Sequence, residues 1–294
     1  MPPIPELDFE RLRHEIVGVD SVFPTPFGER MLLYADYTAS GRCLLFVERF
    51  LMGLQRHYAN THTEDDMTGR SMTHLLHEAR EIIREAVNAG PGGRVLACGT
   101  GATGAIDRLQ GILGVALSPV TRRRLFEALG PEAAAVARAR LDQRKPVVFV
   151  GPYEHHSNEV SWREGLATVV PVDLDADGGI DLGHLESLLC DPAFAGRPLI
   201  GSFSAASNVT GMLSPVHDLA RLLHRHGAVA CFDYAASGPY VRIDMSPGPD
   251  PDGADPSLDA VFLSPHKFIG GPGTPGILVF NERLYARDLP PTVA

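Results

Sequence analysis

Hydrophobic residues recur along this chain with two different periods. Two early segments, 42–58 and 71–89, carry apolar residues three or four positions apart, the period of a helix with one buried face. From residue 94 onward, short apolar runs alternate with stretches of helical period. The predicted strands are 94–98, 147–150, 168–172, 198–204, 228–233, 259–264 and 276–280, and the helices between them are 102–115, 157–165, 181–189 and 214–226. This alternation predicts an α/β fold, with a mostly parallel sheet and helices on both faces.

Polar or flexible residues follow the carboxyl ends of most of these strands. In chain order they are GTGATG, GPYEHHSN, AASN, Asp233 itself and the tripeptide PHK. The carboxyl ends of parallel strands meet at one edge of a sheet, where α/β proteins bind their ligands. We therefore expect the chemistry of this chain to lie at that edge. The long connection 116–146 is rich in arginine and alanine and is predicted to add one surface helix of unassigned role.

Composition excludes several classes of partner. The net charge of −10 argues against nucleic acid or an anionic membrane as the partner, since both need clustered positive charge. The four cysteines form no CxxC pair, so neither a zinc finger nor a disulfide framework is predicted. No apolar run approaches the ~20 residues that span a bilayer, and the start lacks a secretory h-region, so a cytoplasmic location is expected.

Lysine is rare here, and one of its two copies precedes a glycine-rich turn. Lys145 and Lys267 are the two lysines among 26 basic residues, and the rest are arginines. An amine forms a Schiff base with a carbonyl, whereas a guanidinium stays protonated and does not. A chain that uses arginine elsewhere is expected to keep lysine where a nucleophilic amine is required. Lys267 is therefore predicted to be that amine, against the alternative of a flexible surface lysine.

The hexapeptide GTGATG, residues 99–104, is a G-x-G-x-x-G between a predicted strand and a predicted helix. Its glycines let the backbone approach an anion, and the helix N-terminus supplies N–H donors, so a phosphate site is favoured. A dinucleotide site would also need an acidic residue ~20 positions further on. The chain near residue 124 instead resembles a helix, which favours a single phosphate. A simple tight turn is the remaining alternative.

Two further strand ends carry groups suited to a flat heteroaromatic ligand. Asp233 ends an apolar strand, where a carboxylate could hold a proton on a ring nitrogen, although a surface aspartate is the alternative. In Glu154-His155-His156 one histidine ring could stack on such a ligand. Adjacent histidines point in different directions, and the His62-Thr63-Glu64 triplet lacks the P-C-x-x-C that a zinc deaminase requires, so no metal is predicted. Pyridoxal phosphate is the cofactor that these groups together predict: a phosphate cradle, a stacking ring, an acidic partner and an amine.

From about Leu32 to its end, the sequence resembles the class V aminotransferases, in particular the cysteine desulfurase and selenocysteine lyase branch. The motifs that carry the resemblance are LYADYTAS, YANTH, EHHSNEVSW, SNVTG, FDYAA and SPHK. The resemblance implies the large domain of a fold type I pyridoxal-phosphate enzyme, a small amino-acid substrate and a homodimer. It implies catalytic roles for Lys267, which forms the aldimine, His155, which stacks and handles protons, and Asp233, which pairs with the pyridine nitrogen. The other implied contacts are with the cofactor, at Gly101, Ala102, Thr103, Asn208, Ser264 and His266, and with the substrate, at Thr38, Ala39, Ser40 and His62.

Two departures from the family pattern affect the functional prediction. The family usually has Gln or His three residues after the aspartate, where this chain has Ala236 followed by Ser237. We also expect 1–30 to be an N-terminal arm, 31–280 the cofactor-binding large domain, and 281–294 the start of a connection to a missing small domain. The predicted function is therefore a pyridoxal-phosphate lyase or transferase acting on a small amino acid. The alternatives are a nicotinamide-dependent oxidoreductase that uses GTGATG, and an inactive truncated remnant.

Overall fold

The computed structural model of the protein describes residues 8–286, which form two compact units. Unit 1 contains residues 8–81 and Pro265–Thr274, and unit 2 contains Ile82–Ser264 and residues 275–286. Part of the predicted connection to a small domain, residues 287–294, lies outside the described residues, as do residues 1–7 of the predicted arm. The division at residues 30 and 280 stays a prediction.

Unit 1 contains a short hairpin and helices. Its elements are α1 (Phe9–Glu15), the antiparallel strands β1 (Val22–Thr25) and β2 (Gly28–Met31), α2 (Leu45–Gln55), and most of α3 (Met67–Ala86), which continues into unit 2. The two helices predicted at 42–58 and 71–89 are thus confirmed as α2 and α3. No helix within residues 8–286 combines the length and apolar character needed to cross a membrane.

Unit 2 is built on a seven-stranded sheet in the order β3-β9-β8-β7-β6-β4-β5. The strands are β3 (Gly93–Cys98), β4 (Val147–Val150), β5 (Thr168–Pro171), β6 (Leu199–Ser204), β7 (Val229–Asp233), β8 (Ala260–Leu263) and β9 (Gly276–Asn281). β9 runs antiparallel to its neighbours β3 and β8, and the other strands run in one direction. The prediction of a mostly parallel sheet is confirmed. Each strand found here overlaps one predicted from the hydrophobic pattern.

Helices cover both faces of this sheet, as predicted. They are α4 (Gly101–Ile112), α5 (Pro119–Leu129), α6 (Pro131–Arg144), α7 (Val160–Glu164), α8 (Leu182–Leu189) and α9 (Val216–Arg225). Successive side chains of a strand point to opposite faces. Accordingly, Phe149 packs with the α8 and α9 leucines, while its neighbours Val148 and Val150 pack with Ile106 of α4 and Trp162 of α7. Central strands buried on both faces therefore show continuous apolar runs.

The connection 116–146 differs from its prediction, because it forms two helices instead of one. Gly130 adopts a left-handed φ of +72°, and Pro131 follows at the first position of α6. A proline fits the first turn of a helix but not its interior, so the chain ends α5 and begins α6 at this point. Phe126 and Ala134 are the buried residues of the pair, and the Arg138 guanidinium lies 4.1 Å from the centre of the Phe126 ring.

Candidate active site

The strand ends that the sequence singled out meet at one edge of the unit 2 sheet. β3, β4, β6, β7 and β8 run in the same direction, so the residues that follow their carboxyl ends lie along that edge. Because β9 runs the other way, its first residue, Gly276, reaches the same edge. The topology therefore gathers the glycine loop, the histidine turn, Asp233 and Ser264 as predicted.

The glycine loop forms an open helix N-terminus beside Ser264. Gly99 and Gly101 have left-handed φ values of +47° and +57°, which glycine adopts without steric cost. The N–H of Ala102 donates a 2.8 Å hydrogen bond to Ser264 Oγ, which joins the start of α4 to the end of β8. The N-cap residue Thr100 makes no side-chain capping bond. This end of α4 therefore presents N–H donors and a positive dipole end, which suit an anion such as phosphate.

Close packing explains the other glycines at this edge. A Cβ on Gly104 would lie 2.7 Å from both the carbonyl oxygen of Cys98 and the Cα of Gly99. A Cβ on Gly276 would lie 1.8 Å from the carbonyl oxygen of Gly101. The loop can occupy its position because no side chain separates these backbones.

Asp233 is a buried carboxylate at the end of β7. It is 4% exposed, its Oδ1 accepts a 2.8 Å hydrogen bond from the N–H of Ala235, and it pairs in register with Ser204 of β6. The alternative prediction, that Asp233 is a surface aspartate, is therefore wrong. In the same turn, Ser237 Oγ is buried and has no hydrogen-bond partner among the described residues. A buried carboxylate and a spare hydroxyl suit a ligand that carries a protonated nitrogen and a polar substituent.

Glu154 belongs to the candidate site, although the sequence alone gives it no role. Its Oε1 accepts from the N–H groups of Ser204 (2.8 Å) and Gly151 (3.2 Å), and its Oε2 accepts from Ser204 Oγ and Asn158 Nδ2, both at 2.7 Å. Burial raises the pKa of Glu154 to about 7, even though the hydrogen bonds from Ser204 and Asn158 lower it, and the charge of Asp233 adds to the rise. In the sequence, nothing distinguishes this glutamate from an exposed residue of a turn.

His155 follows Glu154 and is exposed at the start of a 3-10 helical turn, residues 156–158. Its Nδ1 accepts the N–H of Ser157 at 3.2 Å and lies 2.8 Å from Ser157 Oγ. In the neutral ring the proton is therefore on Nε2. The ring centre of His156 lies 6.2 Å away at an interplanar angle of 45°. Asn208, another predicted contact, lies exposed in the turn after β6.

The predicted lysine lies in unit 1, with three of the four predicted substrate contacts close to it. His266 and Lys267 form a half-buried 3-10 turn. The carbonyl oxygen of His266 accepts a 2.9 Å hydrogen bond from the N–H of Gly41. A Cβ on Gly41 would lie 1.9 Å from the carbonyl oxygen of Phe268, so the loop at 38–41 packs directly on the lysine segment. Burial, followed by the charge of Lys267, lowers the pKa of His266.

His62, the fourth predicted substrate contact, is exposed and has an unusual backbone conformation. Its φ is +72°, a left-handed value that costs a residue with a Cβ about 1 kcal/mol or more. Its N–H donates to Thr73 Oγ1 at 3.0 Å, and that hydroxyl donates to the carbonyl oxygen of Thr63. The α3 residue Thr73 thus holds this turn in place.

Comparison with known proteins gives a consistent assignment. Residues 129–293, more than half of the chain, match the aminotransferase class V family model. A probable cysteine desulfurase of Halalkalibacterium halodurans is 26% identical over 95% of the chain and 60% of that protein. A probable cysteine desulfurase of Chlamydia muridarum is 37% identical over 49% of the chain and 33% of that protein.

Solved structures agree with this result at the level of the fold. The apo cysteine desulfurase of Thermococcus onnurineus NA1 superposes with a TM-score of 0.66 at 18% identity, covering 92% of this chain and 56% of that one. The chain thus spans 60% or less of the length of these relatives. A nicotinamide-dependent oxidoreductase is not favoured by these comparisons. The chain belongs to the class V aminotransferase family, whose members are pyridoxal-phosphate-dependent enzymes.

Proposed function

We propose that this chain binds pyridoxal phosphate and acts on a small amino acid, with chemistry like that of a cysteine desulfurase, a selenocysteine lyase or an aminotransferase. The observation that carries the proposal is the edge of the unit 2 sheet. There, the Ala102 N–H at the start of α4 donates to Ser264 Oγ at 2.8 Å, Thr100 adds no side-chain cap, and the same edge carries the buried Asp233. An anion site and a buried carboxylate on one sheet edge match the two ends of this cofactor.

The residues present fit the cofactor at its phosphate and at its ring. The N–H groups of Gly101, Ala102 and Thr103 would bind the phosphate, together with the hydroxyl of Ser264, and the Ala102 N–H would exchange its bond to that hydroxyl for one to the phosphate. His266, the next polar residue along the chain, is the further predicted phosphate contact. Backbone donors at a helix start and a serine hydroxyl are the usual partners of a phosphate.

At the ring, each side chain has a distinct task. Asp233 would hold the proton of the pyridine nitrogen, His155 would stack on the ring and present Nε2–H, and Asn208 would contact the ring hydroxyl. The chemistry that pyridoxal phosphate supplies when bound is an electron sink for the bonds at the amino acid's Cα. Lys267 would attach the cofactor through its amine and later move the Cα proton. Thr38, Ala39, Ser40 and His62 would contact the substrate.

The experiment is a comparison of the two lysines of the chain. The purified protein is mixed with pyridoxal phosphate and reduced with borohydride, and its peptides are mapped by mass spectrometry. The native chain and a Lys145→Ala variant should carry the reduced cofactor on Lys267, and a Lys267→Ala variant should not. Lys145 is a matched control because it forms an ion pair with Asp142 at the end of α6, away from the predicted cofactor residues. Labelling that is independent of Lys267, in protein with native circular dichroism, would overturn the proposal and favour the inactive remnant.

We extend the proposal to assembly as a homodimer, as the family resemblance implies, and to a cytoplasmic location. Within unit 1, the apolar side chains of α2 support pairing, because Phe46, Phe50, Leu51 and Met52 are 44–59% exposed. Exposed apolar groups concentrated on one helix are typical of an interface. Light scattering coupled to size exclusion should give twice the chain mass. A Phe50→Glu variant should give the mass of a single chain.

A further inference from the structure

The carboxylate of Glu154 closes the turn that carries His155. Within this turn it accepts hydrogen bonds from Gly151, which follows β4, and from the Asn158 side chain at the turn's other end. It also accepts two bonds from Ser204, the last residue of β6. One carboxylate thus connects both ends of the turn to the neighbouring strand.

Buried, hydrogen-bonded side chains surround this carboxylate. Asn158 is fully buried, and its Oδ1 accepts from Ser202 Oγ at 2.6 Å and from Trp162 Nε1 at 3.3 Å. Trp162 is itself fully buried in the core between the sheet and α4. Since His155 lies between Glu154 and Asn158, its position depends on these bonds.

We propose that Glu154 is a positioning residue of the candidate active site, which holds the His155 turn against the end of β6 and places a second carboxylate beside Asp233. Only the part of this inference that concerns cofactor binding rests on the proposed function. No role was assigned to Glu154 by the family pattern, and its contacts are seen only in the folded chain.

The charge of Glu154 is sensitive to pH. The four donors suit the ionised form. A protonated carboxyl has to donate one hydrogen, so either the bond with Ser204 Oγ reverses its direction or one of the bonds from an N–H donor breaks. With a pKa of about 7, this change falls near neutral pH. The titratable groups around it are Asp233 from β7 and, from its own turn, Tyr153, His155 and His156, whereas β6 contributes only the uncharged Ser202 and Ser204. The position of His155 should therefore change near the same pH.

The test compares Glu154→Gln with Glu164→Gln, a matched change at an exposed glutamate of α7. The first readout is the carbon-bound proton signals of the His155 ring by nuclear magnetic resonance, without cofactor, from about pH 5.5 to about pH 8.5. At about pH 8.5, where Glu154 is ionised, Glu154→Gln should displace these signals from their native positions, and the displacement should shrink toward about pH 5.5, where the native carboxyl is also neutral. The second readout is the dissociation constant of pyridoxal phosphate, which should rise about tenfold in Glu154→Gln and stay unchanged in Glu164→Gln.

A double variant separates positioning from simple loss of stability. Glu154→Gln combined with Asn158→Asp exchanges the amide and the carboxylate, so the bond between these two side chains forms again with the donor reversed. The His155 signals should then return toward their native positions. His155 signals and cofactor affinity that are native in folded Glu154→Gln would overturn the inference.

Two further outcomes are also decisive. If Glu154→Gln does not fold, Gly151→Ala keeps the charge but places a Cβ 2.6 Å from Oε1, and it should shift the His155 signals. Native signals in that variant would overturn the inference. If the native chain fails to bind pyridoxal phosphate, the proposed function fails, while the comparison of His155 signals between the native chain and Glu154→Gln still decides the role of Glu154.

Discussion

Asp259 offers a measurable test of how the sheet is held at the edge opposite the candidate site. It precedes β8 and its side chain is 2% exposed. Its Oδ2 accepts from His224 Nε2 at 3.0 Å and from the N–H of Ala230 at 2.9 Å, and its Oδ1 accepts two bonds from the Arg283 guanidinium. β8 follows Asp259 and leads directly into Ser264, so the same strand supports the phosphate cradle.

The substitution Asp259→Asn keeps the shape of the side chain and removes its charge. Breaking a buried ion pair costs about 3–5 kcal/mol, because the remaining partner stays buried without compensation. Arg283 is 50% exposed and can be hydrated again, whereas His224 and the Ala230 N–H cannot. We therefore expect a loss of about 2–3 kcal/mol in the free energy of unfolding.

Urea unfolding followed by tryptophan fluorescence measures this loss directly. The chain has one tryptophan, Trp162, which is buried in unit 2 and reports on the unit that contains Asp259. The control is Asp255→Asn, at a carboxylate that is 46% exposed and 3.4 Å from His224, where we expect a loss below about 1 kcal/mol. Equal losses of unfolding free energy in the two variants would refute the reasoning that burial and four accepted hydrogen bonds make Asp259 more important for stability than Asp255.

Two further predictions concern the glycine loop and the pH dependence of stability. Gly276→Ala places a Cβ 1.8 Å from the backbone carbonyl oxygen of Gly101 and should lower the free energy of unfolding by about 3 kcal/mol or more. Gly111→Ala, in open space on α4, should raise it by about 0.5 kcal/mol. Thermal unfolding monitored by circular dichroism compares the two variants. Burial lowers the pKa of His224, but the hydrogen bond and charge of Asp259 outweigh it, so the net pKa is raised above 6.5. The contribution of protonated His224 is then complete below about pH 6.5 and is lost as pH rises through the folded-state pKa. The difference in urea midpoint between the native chain and His224→Gln should therefore shrink from about pH 6 to about pH 8; a constant difference would contradict the raised pKa.

The fold class was available from local information. Strands such as 147–150 are continuous apolar runs because both faces are buried, and the run length and flanking glycines separate them from helices. The one-helix prediction for 116–146 failed because helical periodicity continues across Gly130 and Pro131, and the left-handed φ at Gly130 redirects the chain. The antiparallel direction of β9 could not be predicted from the sequence either, since an apolar run has the same pattern in both directions.

The sequence by itself determined which side chains follow each strand, because the type and order of residues are fixed along the chain. Lys267, Asp233 and the glycine loop were predicted as site residues in this way. Only the tertiary structure decided which groups are buried and which donors surround them. Glu154 is adjacent to His155 in the chain, yet two of its four hydrogen bonds come from Ser204, fifty residues away, and its raised pKa follows from that enclosure. Burial and hydrogen bonding join residues that are distant in sequence, so the role of a carboxylate follows from its folded surroundings.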